Sequence, residues 1–503
     1  MKSKLFIIAL LALSVISCTR EPIPQLEEQG GKIVTIRATI PPETRVAYDD
    51  ANLSLSWQDN DQLLLAGYDG TTYKGSSTFT YVSGSGSKFL GTTVPGATTY
   101  KAYYPGNVIT LDNNGNVQLP VYFWQQTQDG NNSTAHLRNK LLLFDENANP
   151  ITQRFSLALK SSIIKLDLSG IPQQVGELDQ IIYTLETASG VFKSVPLNVA
   201  GVTFSATVSS ITAFLAVDPA VIKIAANGKV IIRLKGDKLY QWTQSVALGK
   251  DYVAGHRYTG AVSSGWADIT TPLYYVAEYN VNEAGTGFVT DLIACEVSGY
   301  FNWSNAVTHF NTNKIISGYH LPSIEEWQGI VPLYANQVYC VCFDSAPSND
   351  NITENVVVQG QSITMTGDFS HPGNNVSYAL RYKGTDMVSA WKYEYISDGN
   401  NTHMKITSRR VSSYVTIDDI TENNGAFWNS GNENDIVRYF PASGYYEGSL
   451  RKDLGTNGYF WSSTKKGTDF AFAMTFRSSD ASSSSGGYWK TKRYTVRLFT
   501  PEN

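Results

Sequence analysis

Along most of the chain, apolar and polar residues alternate in short runs bounded by Gly, Asn, Asp and Pro. The first run is Ile33-Val34-Thr35-Ile36-Arg37-Ala38-Thr39-Ile40, and a strand there places Val34, Ile36, Ala38 and Ile40 on one face. Further runs follow at 53–57, 63–66, 77–82, 99–104 and 117–124. A second set opens near Phe155 and continues through 162–168, 180–187, 202–208, 212–217, 229–234 and 240–247. Period-two runs at this spacing predict two β-sandwich domains, 32–148 and 149–262. No helical period longer than about two turns interrupts them. Neither set gathers an acid, a base and a nucleophile, so no catalytic residue is assigned and a non-enzyme is expected.

After Ser263-Ser264-Gly265 the texture changes. Residues 272–500 are rich in aromatics and Gly, with long loops. Two helices are expected there. One covers 302–310, with Trp303, Ala306, Val307 and Phe310 on one face. The other covers 323–333, where Ser323 can cap and Glu325 and Glu326 suit the positive end of the helix dipole. A polar stretch of strands and loops between about 335 and 425 separates the more patterned pieces. The fold class expected is mainly β: two sandwiches followed by an α+β domain.

The first residues set the compartment. Lys2 and Lys4 precede an apolar run over 5–16, which reads as a secretory signal over 1–17. Roughly a dozen apolar residues cannot cross a bilayer core that needs about 20. Cys18 at the break resembles a bacterial lipobox, in which the cysteine is acylated and becomes the first mature residue. Residues 18–31, with Pro22, Pro24, Gly30 and Gly31, then form a lipid-anchored linker. The formal charge of −5 over 503 residues offers no basic stripe for nucleic acid. Three cysteines remain, Cys295, Cys340 and Cys342. One reading bridges Cys295 to Cys340 or to Cys342; the other places Cys340 and Cys342 on one face of a strand. The six His are scattered, and neither a metal nor a cofactor is assigned.

Residues 18–262 resemble the fimbrillin family of Bacteroides-type bacteria. The resemblance rests on Cys18, the first strand, Glu43-Thr44-Arg45-Val46, Leu55-Ser56-Trp57-Gln58-Asp59-Asn60-Asp61, Tyr100-Lys101-Ala102-Tyr103-Tyr104-Pro105, Gln125-Gln126, 155–170 and 248–258. It implies two transthyretin-like sandwiches built into a fimbria. It also implies export as an outer-membrane lipoprotein and cleavage after an arginine, here between Arg45 and Val46. The strand lost is the one bearing Val34, Ile36, Ala38 and Ile40. A strand missing from a sandwich leaves core side chains and an unpaired ladder exposed, so a strand from another subunit replaces it. Trp57 is expected in the core, and Asp59 to Asp61 in a turn.

Residues 272–500 resemble surface domains with a C-type-lectin-like fold. The matching pieces are Phe301-Asn302-Trp303-Ser304-Asn305-Ala306, Gly318-Tyr319-His320-Leu321-Pro322-Ser323-Ile324-Glu325-Glu326-Trp327, the run from Arg438 to Tyr446, Gly458-Tyr459-Phe460-Trp461-Ser462-Ser463-Thr464 and Tyr494-Thr495-Val496-Arg497-Leu498. That fold fixes no function by itself. The ligand-contact candidates are Trp428, Asn429, Asn432, Glu433, Asn434 and Asp435. Amides and acids can hold sugar hydroxyls and Trp can stack on a sugar face; the same oxygens would suit Ca²⁺, but the Glu-Pro-Asn and Trp-Asn-Asp motifs of calcium lectins are absent as such. The expected whole is a fimbrial tip subunit, an adhesin for carbohydrate or protein on a cell surface. A chain that runs on into a folded domain keeps no spare C-terminal strand to donate. The alternative is a surface protein that stays on its lipid without polymerising.

Overall fold

Alternation becomes strand almost throughout. The computed structural model describes residues 31–40, 56–335, 338–339, 341–421, 425–483 and 486–500, and the protein is mainly β. The expectations placed on Cys18, on Arg45 and Val46, on Cys340 and on the leader lie outside the described residues. Among the described residues no helix is long and apolar enough to cross a membrane.

The chain forms two compact bodies, 1–123 with 138–161, and 124–137 with 162–503. The single boundary expected between 148 and 149 is therefore crossed in both directions. Residues Gln126–Asp129 join a sheet of the second body, while Phe155–Ser156 and Ala158–Leu159 complete the sheet of the first. Nor do residues 272–500 stand apart, because they share the second body with 162–262. Strand pairing decides both points, and hydropathy along the chain does not encode which edge a strand joins.

In the first body the strands are β1 (Ile33–Thr39), β2 (Gln62–Asp69), β3 (Thr72–Tyr81), β4 (Lys88–Thr92) and β5 (Thr99–Tyr104). With Leu143–Asn149, Phe155–Ser156 and Ala158–Leu159 they make one eight-stranded sheet. Its order is 155–156, β1, β4, β3, β2, β5, 143–149, 158–159. The two end segments are separated by Leu157 alone, so the sheet closes on itself. Phe79, Phe89, Tyr104, Phe155 and Leu157 fill the interior. Asp61 is more than a turn residue. It is buried, and its Oδ1 accepts from the Tyr104 hydroxyl and from Arg138 Nε, each at 3.0 Å.

The second body begins with a sandwich. A three-stranded sheet (Ile211–Val217, Ser162–Leu168, Arg257–Val262) faces a six-stranded one running from Ala267–Asp268 to Gln126–Asp129. Ile164, Leu166, Ile181, Leu197 and Leu215 lie between them. One side is sealed by glutamines. Gln126 donates to Ala216 O at 2.9 Å and accepts from Ala216 N at 2.8 Å, and Gln128 accepts from Phe214 N at 2.9 Å. A side-chain amide here does the work of a peptide group, pairing an edge that backbone cannot reach. Gln128→Leu leaves the buried Phe214 N–H unpaired and should cost about 2 kcal/mol in chemical unfolding. A cost near zero would mean that water replaces the amide.

The rest of the second body holds both expected helices, each shorter than the periodicity suggested. The first is α1 (Trp303–Val307), which loosens into a π turn at Thr308–Thr312; Asn302 caps it by accepting from Asn305 N at 2.8 Å. The second is α2 (Ile324–Ile330), with a capping box between Ser323 and Glu326. The polar stretch is a six-stranded antiparallel meander from Ser345–Val358 to Ile436–Pro441. Trp327, Trp391, Phe440, Phe460 and Phe499 share one core with Leu239 and Ile269, which fuses sandwich and C-terminal region. Cys295 and Cys342 are free thiols, so no bridge joins them.

Within the meander, burial pushes His371 down to about 4 from 6.5, with Nδ1 3.1 Å from Ser377 Oγ. Its folded value lies below its unfolded one, so the unfolded chain takes up the proton first. Stability from this group is complete above pH 6.5 and is lost as pH falls towards 4, by roughly 2 kcal/mol. His371→Gln should flatten that part of the urea-midpoint profile; an unchanged slope would assign the acid sensitivity elsewhere.

Candidate functional site

Two places combine chemistry with geometry: the seat of the first strand, and a cleft in the second body. β1 forms because Ile, Val and Thr favour a half-buried pleated surface. It runs antiparallel to β4 from Ile33↔Thr92 to Arg37↔Lys88. On its other side, among the described residues, it pairs in parallel with Phe155 and Ser156 opposite Ala38 and Thr39, and Thr39 O accepts from Leu157 N at 2.9 Å. The inward face is the one expected. Ile36 and Ala38 are buried, Val34 and Ile40 are half-buried, and Ile33, Thr35 and Arg37 are exposed. Trp57 closes the seat from the core, its Nε1 donating to Ala38 O at 3.3 Å and its ring edge-on to Phe89 at 4.8 Å. β1 is thus the strand at the closing seam of the sheet, held by a full ladder on one side and a short one on the other.

The ligand-contact candidates occupy a different kind of place. Trp428 is buried; its Nε1 donates to Ile420 O at 3.0 Å, and its ring lies beside Tyr378. Glu433 is also buried, with Oε1 2.7 Å from Lys229 Nζ of the sandwich, and its carbonyl accepts from Arg233 Nη2. Asn434 Oδ1 accepts from Gln241 Nε2 at 2.7 Å, and Asp435 Oδ1 from Arg409 Nε at 2.6 Å. Burial pushes the Asp435 carboxyl up against the pull of Arg409. Asn429 is exposed and Asn432 half-buried. The ligand-facing loop expected from sequence is therefore a strut. Glu433 and Asn434 are turned to the sandwich, where half-buried Lys229 and Arg233 and buried Gln241 donate to them, and Asp435 is turned to Arg409 of the meander. A polar turn reads alike in sequence whether solvent or another sheet receives it.

The cleft lies within the second body and has a volume of about 880 Å³. Sandwich turns bring Glu177, Asp179, Lys235 and Asp237 to one side. The segment Tyr274 to Tyr279, with Phe288 and Tyr319, forms the other. Phe288 and Tyr319 meet edge-on at 5.0 Å. Tyr274 OH donates to Gly236 O at 2.6 Å and so ties the two sides together. Arg438 is buried in the lining and donates to Val276 O at 2.6 Å, Val437 O at 2.9 Å and Tyr274 O at 3.1 Å. Desolvation lowers the Arg438 value, with Glu278 opposing; it also lowers Arg497, to about 9, aided by Arg438 itself. Lys235 Nζ stands 3.7 Å from Glu278 Oε1. Desolvation raises Asp179, Lys235 pulls it back, and Glu177 and Asp237 raise it further.

Sequence reading passed over these residues. Tyr319 and Arg438 stood inside quoted motifs with no role, and Glu177, Asp179, Asp237 and Glu278 belong to none of the quoted motifs. His320 is a framework residue, with Nε2 2.7 Å from Glu326 Oε1 and backbone bonds to Phe499. Tyr445 and Tyr459 meet edge-on at 5.0 Å beside Tyr494. Among the described residues no group of His, Cys, Asp and Glu is arranged to hold a metal ion.

Residues 268–499 match the family model of a domain of unknown function (DUF8237). A search of curated proteins finds no match. Among solved structures, a fimbrial protein from Bacteroides ovatus is 13% identical, covering 92% of this chain and 98% of that one with a TM-score of 0.25. The tip fimbrial protein Mfa3 from Porphyromonas gingivalis, with a C-terminal truncation, is 10% identical, covering 47% of this chain and 98% of that one with a TM-score of 0.22. Likenesses this distant carry no weight for the role of any residue.

Proposed function

We propose that the protein is a fimbrial tip subunit and adhesin, a binding protein and not an enzyme. It is exported as a lipoprotein acylated on Cys18 and held at the outer membrane until cleavage between Arg45 and Val46 releases the segment carrying Val34, Ile36, Ala38 and Ile40. A strand from a neighbouring fimbrial subunit then fills the vacated seat. The region 272–500, read as C-type-lectin-like, contacts carbohydrate or protein on a cell surface.

The observation that supports this reading is the position of β1. It closes the sheet, yet among the described residues only the short stretch Phe155 to Leu157 pairs its second edge. Its departure would uncover Phe89 and Phe155, both fully buried while it is in place, and would strand the backbone groups of β4. An incoming strand with the same alternation restores both. By contrast, the segment 493–500 is not available for lending. Val496 and Leu498 are buried, and Thr500 N donates to Tyr275 O at 2.8 Å.

N-terminal sequencing of the mature protein recovered from cells tests the reading. A chain beginning at Val46, found in sheared fimbriae, is expected. A chain beginning at Cys18 that stays with the outer membrane would favour the permanently anchored alternative.

A further inference from the structure

The cleft of the second body has no role in strand exchange. We propose that it is the adhesin's ligand site and that it takes a neutral oligosaccharide. The inference rests on the adhesin reading and specifies where, and with what chemistry, contact is made.

Charge comes first. Glu177, Asp179, Asp237 and Glu278 face Lys235 and Arg438, with Arg497 behind Arg438. Four carboxylates against two lining cations leave the cleft mildly acidic, so it does not select an anionic ligand. Acidic sugars and phosphates would meet the carboxylates at the sandwich side and be repelled.

Hydrogen-bonding capacity narrows the class. Carboxylates only accept; guanidinium and ammonium groups only donate. Arg438 gives one bond from each nitrogen to a backbone carbonyl, which leaves N–H groups on both Nη atoms unspent among the described residues. A group that lies between such donors and acceptors must do both. Hydroxyls do, and vicinal hydroxyls do so in pairs. The aromatic side adds flat apolar faces at Tyr279, Tyr319 and Phe288, on which the C–H face of a pyranose can rest. The volume, about 880 Å³, lies towards the upper end of small-ligand sites, large enough for several sugar rings.

The setting is also rigid. Tyr274 OH bonds to Gly236 O, and Tyr275 O accepts from Thr500 N. Leu239 and Ile269 share a core with Trp327 and Phe440. A preformed site loses little freedom on binding.

The test uses the mature full-length chain on a printed set of neutral (mannose-, galactose- and N-acetylglucosamine-terminated), sialylated and sulfated oligosaccharides. Titration calorimetry then follows with each neutral oligosaccharide retained. Tyr319→Ala and Asp179→Asn should each weaken that binding at least tenfold. Tyr414→Ala, exposed on a loop outside the cleft, should leave it unchanged. Thermal midpoints confirm that the variants fold, and Tyr319→Phe, which keeps the ring, should retain most of the affinity. Binding confined to sialylated or sulfated sugars, binding to basic peptides only, neutral-sugar binding indifferent to both cleft variants, or no sugar binding at all would each overturn the assignment. The adhesin reading fails on a separate result, absence of the processed chain from fimbriae.

Discussion

Ile36→Ala is expected to lower the stability of the first body by about 2–4 kcal/mol, while Thr35→Ala, one residue away, should change it by less than about 0.5 kcal/mol. Ile36 is 2% exposed and stands opposite Phe89; Thr35 points to solvent. Truncating Ile36 leaves a void beside Phe89 that the sheet, pinned by Trp57 Nε1 on Ala38 O, cannot collapse to fill. Hydrogen exchange at the amides of β4, measured on the unprocessed chain, reads the effect directly. The same variant separates the two functional readings. If β1 leaves on assembly, Ile36→Ala weakens the precursor and leaves the fibre's resistance to denaturant unchanged. Equal weakening of precursor and fibre would mean that β1 never leaves.

Glu354→Ala should be the most damaging single change in the second body, costing about 3–5 kcal/mol. Arg381 is fully buried, and it donates to Glu354 through Nε at 3.0 Å and through Nη2 at 2.6 Å. Its remaining N–H groups reach Gly329 O at 2.9 Å, Ile330 O at 3.0 Å and Gln328 O at 2.7 Å, at the C-terminal end of α2. One guanidinium therefore neutralises a buried acid and, with the Tyr382 and Tyr393 hydroxyls on Gly329 O and Ile330 O, satisfies the helix-end carbonyls. Alanine at 354 strands the cation among Tyr382, Trp391 and Tyr393 with no counter-charge. The double replacement Glu354→Leu with Arg381→Met removes both charges and should recover a large part of the loss, because desolvation is relieved on both sides. Scanning calorimetry of the single and double variants decides the matter. A loss under about 1 kcal/mol for Glu354→Ala would show that the pair is hydrated.

Much of the architecture could be read along the chain because strands announce themselves locally. The face of β1, the cap at Ser323 and the core position of Trp57 each follow from neighbours within a few residues. What could not be read was where separate pieces meet. Phe470–Phe476 alternates like its neighbours, and its alternation does not say which strands flank it. It pairs with Gly458–Lys465 on one side, and on the other with Asp480–Ser483 at one end and Tyr488–Trp489 at the opposite end. The run at 117–124 yields only the short strand Val117–Gln118, paired with Thr110–Leu111, before a turn.

The loop 428–435 shows the same divide in functional terms. Its amides and acids beside an aromatic have the composition of a sugar contact, and the composition alone cannot say what stands opposite. Lys229, Arg233 and Gln241 stand opposite, about two hundred residues earlier in the chain. Conversely, Asp179, Asp237, Tyr319 and Arg438 come from turns and strands with no shared motif, and only folding brings them round one cleft.

By itself, then, the sequence determined the class of the fold, the alternation that makes β1 a strand with one apolar face, and the Ser323 cap of the second helix, because these depend on side-chain period and on hydrogen bonds a few residues long. Tertiary structure alone decided that Gln126–Asp129 would seal the second sandwich, that the polar loop would become a strut, and that four turn acids and a buried arginine would frame a cleft. Those outcomes depend on which edges and charges meet after long stretches of chain have been closed into loops, and nothing within reach of a sequence window encodes such a meeting.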